Sequence, residues 1–144
     1  MAIVGRFGKD QGGSGGSSVN EVRPAICTVD DEVGNLVCVT DSNMNREVVE
    51  TSDPKVFDKL PVVGVIISKS TDELCDVQWA GETPAVFSGL DIGSVYFLGL
   101  HGKIVKTPPA PTSGENIFVQ SVGIAISETQ LYMKPSLLIT KRVG

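Results

Sequence analysis

The chain has 144 residues, a formal net charge of −5 and a pI near 4.8. That length is typical of one domain with an ordinary core. With 41% apolar and 20% charged residues the chain as a whole is not compositionally disordered, and the acidic balance with no basic cluster argues against nucleic-acid binding by charge neutralisation.

No run of 18 or more apolar residues occurs, so no membrane-spanning helix is expected. The first residues turn polar by Gly5, which does not fit a secretory leader. Sixteen glycines and eight prolines, set among many valines and isoleucines, point to an all-β chain rich in turns. Cys27, Cys38 and Cys75 are odd in number and lack Cys-x-x-Cys spacing. They read as buried, reduced thiols made in a reducing cytoplasm, with a Cys27–Cys38 disulfide as the alternative.

In chain order, residues 1–20 form a Gly/Ser-rich N-terminal arm and residues 21–144 a single β-domain. The arm begins with apolar Ile3, Val4 and Phe7 and continues into a Gly/Ser stretch from Gln11 to Ser18. It reads either as a tail or as an extended arm that orders against a neighbour. Ala25–Val29 and Leu36–Thr40 are expected as a strand and its returning partner across the turn at Asp30–Asn35. A polar turn at Asp41–Asn45 precedes a third strand, Arg46–Glu50. Ser52-Asp53-Pro54, followed by Val56, Phe57 and Leu60 and closed by Pro61, predicts the one short helix, about two turns long.

Val62–Ser68 and Glu73–Trp79 form a predicted hairpin in which Cys75, Val77 and Trp79 share the apolar face opposite Leu74, Asp76, Gln78 and Ala80. Further strands are expected at Ala85–Phe87, Val95–Leu98, Lys103–Lys106, Ile117–Ile126 and Gln130–Met133, with a terminal one at Leu137–Thr140. Val63-Gly64-Val65-Ile66-Ile67-Ser68 is echoed by Val122-Gly123-Ile124-Ala125-Ile126-Ser127, so hairpins near 62–80 and 117–134 read as pseudo-repeats. The glycine after valine in each marks a bulge or a close strand crossing. The expected fold is a small β-sandwich or barrel of short antiparallel strands.

Motifs that would carry chemistry are weak. Gly12-Gly13-Ser14-Gly15-Gly16 has the letters of a nucleophile elbow without its strand and helix. His101, the sole histidine, sits at a hairpin tip with no orienting acid near it in sequence. Gly5–Lys9 is too short for a phosphate loop. Asp41, Asn43 and Asn45 imitate the start of an EF-hand loop but lack its glycine and final glutamate. Turn chemistry explains these acids, and Asp30-Asp31-Glu32, better than calcium does. Trp79, Tyr96 and Tyr132 read as core aromatics sooner than as a sugar-stacking platform. The chain therefore reads as a non-enzyme without cofactor or metal site.

One long stretch carries a resemblance. Gly89-Leu90, Gly93, Val95-Tyr96-Phe97-Leu98-Gly99, Gly102-Lys103-Ile104, Thr107-Pro108-Pro109, Val119, Val122-Gly123, Ala125-Ile126-Ser127, Thr129, Leu131 and Lys134-Pro135-Ser136-Leu137 occur in that order. The succession resembles a β-module of tailed-bacteriophage structural proteins, found in head decoration (cement) proteins and in fibre subunits. The tight His101-Gly102 tip and the Gly/Ser arm depart from it.

The resemblance implies a virion protein on the capsid surface, made in the bacterial host, that forms a homotrimer and clamps the major capsid protein. It implies no nucleic-acid or membrane partner. Ile3, Val4 and Phe7 of the arm, and Pro108, Pro109 and Pro111 of a stiff loop, are the expected partner-binding residues. A tail-associated or fibre subunit is the alternative, and a small carbohydrate-binding or hydrolytic sandwich a more distant one.

Overall fold

The computed structural model describes residues 20–144. Their fold is all-β, with eleven strands and two short 3-10 turns. The strands are β1 (Glu21–Ile26), β2 (Leu36–Asn43), β3 (Arg46–Thr51), β4 (Gly64–Lys69), β5 (Leu74–Glu82), β6 (Val95–Leu98), β7 (Ile104–Val105), β8 (Asn116–Val119), β9 (Ser121–Ala125), β10 (Leu131–Met133) and β11 (Thr140–Val143). Nine of them hydrogen-bond in the order β1-β3-β2-β4-β5-β10-β9-β6-β7, and a further β1–β5 pairing closes the first five into a barrel. β8 and β11 form a separate two-stranded ribbon.

The barrel closes because β1 has two partners. It runs antiparallel to β5 from Glu21↔Ala80 to Ile26↔Leu74, and parallel to β3 at Ala25↔Glu47 and Ile26↔Val48. Closure removes the free edges that a five-stranded sheet would otherwise expose. Ala25, Val37, Val49, Ile66, Cys75 and Val77 point inward from the five strands, and Cys27 and the half-buried Trp79 pack with them.

A second core lies where β6, β9 and β10 pack back on the barrel. Leu36 and Val65 from the barrel strands meet Tyr96, Leu98, Val122, Ala125, Leu131 and Met133. The result combines both expected architectures, a barrel with a sheet folded against its wall.

Several sequence expectations are corrected. β2 does not return beside β1, because β3 lies between them. The β1–β3 pair is parallel, where only antiparallel strands were expected. β2 runs on through Asn43, so the turn of that hairpin is centred on Met44, which adopts a left-handed φ of 60°.

The two-turn helix is one 3-10 turn at Phe57–Lys59, with no side-chain cap. Asp53 Oδ1 accepts from Lys55 N at 2.9 Å as an N-cap would, but Val56 is extended, with φ −122° and ψ 111°, so the winding begun at Asp53 does not continue through it. None of the three turn residues is buried, and the Phe57 ring tilts against Phe118 with centroids 5.4 Å apart. Ala85–Phe87 follows Pro84 as irregular chain. Val86 N bonds back to Pro84 O while Phe87 packs on the second core. The terminal strand begins later than expected, at Thr140, because Ser136 Oγ holds Leu138 N in a turn.

The expected run Ile117–Ile126 is two strands in different sheets, divided at Gln120. Gln120 is 1% exposed, and its amide acts as a stand-in for a backbone partner. Oε1 accepts from Val62 N at 2.8 Å, while Nε2 donates to Val62 O at 3.0 Å and to Ser136 O at 2.8 Å. Gln78, expected on the polar face of β5, is also 1% exposed, and it donates to the carbonyls of Ala80 and Glu82.

The hairpins β4–β5 and β9–β10 use glycine in the same place. Val65 pairs with Gln78, and Ile124 pairs with Tyr132. A side chain on the preceding residue, Gly64 or Gly123, would collide with the backbone carbonyl of Gln78 or Tyr132 respectively. The close crossing read from the two Val-Gly pairs is thus a matched pair of backbone contacts.

Replacing Gln120 with alanine strips Val62 of both backbone partners in a dry interior. Each orphaned group costs about 1–3 kcal/mol. Gln120→Ala is therefore expected to lower unfolding stability by about 3 kcal/mol in urea titration.

Candidate functional site

A polar cleft of about 460 Å³ lies at one end of the barrel. Three pieces of chain build it. The β1–β2 loop supplies Thr28, Asp30, Asp31, Glu32 and Asn35. The end of β3 and the turn after it supply Glu50, Thr51, Ser52, Asp53 and Lys59. The β6–β7 turn supplies His101 and Lys103.

Asp31 organises the cleft. Its carboxylate is nearly enclosed and takes four protein donors. Oδ2 accepts from Thr28 N at 2.8 Å and Thr28 Oγ1 at 3.1 Å, and Oδ1 accepts from Thr51 N at 3.1 Å and Thr51 Oγ1 at 2.6 Å. Burial works to raise its pKa, but the hydrogen bonds from Thr51 and Thr28 outweigh burial and hold the carboxyl below its ordinary value. Lys69 Nζ donates to the carbonyls of Thr28 and Asp31 at 2.9 and 2.6 Å, fastening the same loop from outside.

Asn35 Nδ2 donates to Thr51 Oγ1 at 3.3 Å, while Asn35 Oδ1 is buried with no partner. The Ser52 hydroxyl is also buried without a hydrogen bond of good geometry, close to the Cys38 thiol.

His101 sits on the cleft rim with a left-handed φ of 60°, and Gly102 beside it presses on Leu36 O and Thr51. The fold thus brings the histidine to a cleft lined with acids, which its sequence neighbours do not supply. Its imidazole makes no hydrogen bond among the described residues, and the buried acid is already saturated by its threonine donors. The four bonds of Asp31 hold the loop in shape. Among the described residues no three His, Cys, Asp or Glu side chains converge to hold a metal ion.

The remaining candidates are dispersed. Tyr96 is buried, with its hydroxyl accepting from Asp91 N at 2.8 Å. Tyr132 faces the other side of the sheet, and Trp79 packs on the barrel core under the Arg23 guanidinium, 5.0 Å from the ring centroid. The three aromatics form no platform. Pro108, Pro109 and Pro111 lie half-buried in the β7–β8 connection. Ile3, Val4 and Phe7, Gly5–Lys9 and the Gly12–Gly16 motif lie outside the described residues.

The cysteines are free and buried. Burial pushes the Cys38 thiol up, and burial together with the neighbouring Cys27 thiol pushes Cys75 up to about 12. Such thiols stay protonated and poorly nucleophilic.

No family model, curated protein or solved structure matches the chain.

Sequence reading missed the cleft. Asp31 looks like any acid of an Asp-Asp-Glu turn, and its partner Thr51 lies twenty residues away. Thr28 at three residues' separation, in the pattern of a local side-chain turn, is the one legible trace.

Two predictions follow from these groups. Because the folded pKa of Asp31 is depressed, its stabilisation is complete above the ordinary value of 3.8 and is lost as pH falls below it, through the folded value. Asp31→Asn should cost about 2–4 kcal/mol at neutral pH and flatten the acid limb of stability measured by chemical denaturation from pH 5 downward. In the native protein at pH 8, reaction of the three buried cysteines with a thiol reagent should be at least ~100-fold slower than for free cysteine, and full reaction should require denaturant.

Proposed function

We propose that the protein is a bacteriophage head decoration protein. In this reading it assembles as a homotrimer on the virion surface and stabilises the head by bridging copies of the major capsid protein, with no chemistry of its own. The observation that carries the proposal is a set of large apolar side chains left in solvent beside the β8–β11 ribbon. Leu137 is 96% exposed and Leu138 76%, on the chain leading into β11, and Phe57, whose ring tilts against Phe118 of β8, is 67% exposed.

Single apolar residues on a surface are ordinary, whereas several large ones along one ribbon fit a protein–protein contact. The ordered succession from Gly89 to Leu137 that resembles the phage module runs into this feature. The closed barrel supports the reading, since it gives a rigid body whose contacts cost little ordering. The saturated Asp31 carboxylate fits a scaffold better than a reaction centre. Pro108, Pro109 and Pro111 would add a stiff rim, and the apolar N-terminal residues a further anchor.

The test is co-sedimentation of purified protein with expanded, undecorated heads and, separately, with isolated tails of the phage that encodes it. Saturable binding to heads at a fixed ratio to capsid protein supports the proposal. Binding to tails alone would transfer the protein to the fibre or tail class, and binding to neither would end both readings. Removing two buried leucines from an interface forfeits about 1.5–3 kcal/mol each. Leu137→Asp with Leu138→Asp is therefore expected to weaken head binding at least ~100-fold while leaving the melting temperature within about 2 °C.

A further inference from the structure

The β8–β11 ribbon has one edge that is screened and one that is open. Phe118 N of β8 donates to Pro54 O at 2.8 Å, so the chain after β3 covers the β8 edge there. On β11 the direction of each backbone group follows from the register. Gly144 N donates to Glu115 O at 2.9 Å, which extends the ladder that pairs Thr140 with Val119 and Val143 with Asn116. Bonded and non-bonded pairs alternate along an antiparallel ladder. Thr140 and Arg142 therefore turn N–H and C=O toward β8, while Lys141 and Val143 turn theirs away. The outward groups meet no partner among the described residues, and all four residues of β11 are exposed. An open edge of this kind is a template for an added strand.

The edge is also cationic within an acidic chain. The formal net charge is −5, yet residues 129–144 hold Lys134, Lys141 and Arg142 and no carboxylate side chain. No ion pair among the described residues includes Lys141 or Arg142. Successive strand residues point to opposite faces, so one cation stands on each side of the open edge.

That arrangement disfavours a second β11 as the occupant. In antiparallel pairing about a two-fold axis, the outward groups of residues 141 and 143 set either Lys141 opposite Lys141 or Arg142 opposite Arg142. The registers that avoid this overlap a single residue of the strand. Like charges directly opposite one another are destabilising, whereas opposite charges in the same places stabilise. The complement of this edge is a strand with two consecutive carboxylates, one for each face.

We propose that the open edge of β11 binds an extended segment of a partner protein whose two consecutive acidic residues lie opposite Lys141 and Arg142. Backbone bonds to Lys141 and Val143 hold the segment, and the charge pairs set its register. The inference rests on the preceding proposal in taking the ribbon as the contact surface, and it names what the ribbon takes from its partner.

Amide NMR of the full chain, titrated with the blocked peptide Thr-Val-Glu-Glu-Val-Thr, tests it without phage particles. Saturable shifts at the Lys141 and Val143 amides are expected, with a Kd on the order of 1 mM or tighter. Lys141→Glu with Arg142→Glu should weaken binding at least ~10-fold. Val143→Pro removes only an outward N–H, and should weaken it about 2–10-fold while the Arg142 and Ile117 amides stay in place.

Absence of shifts at these two amides would overturn the proposal, as would equal binding of Thr-Pro-Glu-Glu-Pro-Thr, which keeps the charge but cannot complete a ladder. Shifts that grow with protein concentration and need no peptide would assign the edge to a second copy, against the proposal. Shifts produced by phosphatidylglycerol vesicles and not by the peptide would assign the ribbon to a lipid surface, again against it. The two proposals fail separately. Head binding unchanged by the paired glutamate substitutions sinks the edge site alone, and peptide binding without head binding sinks the capsid reading alone.

Discussion

The fold depends on one enclosed carboxylate. Asp31 ties the loop after β1 to Thr51 at the end of β3, with all four of its bonds drawn from two threonines. That tie carries the chain over the barrel end, so that β2 enters on the far side of β3 and β1 is left free to join β5. Without the crossing, β1 and β2 would be a plain hairpin and the sheet would keep two edges. An ionised group in this position tolerates burial because every lone pair facing the protein has a donor. Lys69 adds a cation on the neighbouring carbonyls without touching the carboxylate itself.

Upon that closed barrel the second sheet is added through shared elements. β4 presents Ile66 to the barrel interior and Val65 to the second core, and Leu36 and Val37 divide in the same way on β2. Alternation along a strand normally separates core from solvent, whereas here it separates two cores. This explains why Val62–Ile67 is aliphatic at every position but Gly64 and why the polar Gln78 is enclosed. Gln120 supplies the hydrogen bonds that a regular strand neighbour would have given Val62, where the chain passes from the ribbon to the sheet.

What the sequence made legible was local. The all-β class, most strand positions and the glycine crossings could be read because alternation and turn residues act within a few positions. The helix expectation failed at Val56, whose extended backbone breaks the winding that Asp53 and Pro54 begin. The order of strands depended on Asp31 meeting Thr51, and the division at Gln120 on its meeting Val62, at separations of 20 and 58 residues. No local pattern encodes such meetings. The cleft was invisible for the same reason, since its lining is gathered from three distant loops. The exposure of Val95 and Ile124 was hidden because both read as ordinary strand interior.

β5, nine residues long, is a member of both sheets. Its first part pairs with β1 and β4, and its last two residues, Gly81 and Glu82, pair with β10. The outer sheet therefore cannot peel away as a separate unit without loosening the end of a barrel strand. Opening events that expose β5 along its length must disturb both layers, which couples the two into one cooperative unit. A load applied to the outer sheet passes along this strand into a closed ring of hydrogen bonds, where it is shared among neighbours instead of being concentrated at one edge.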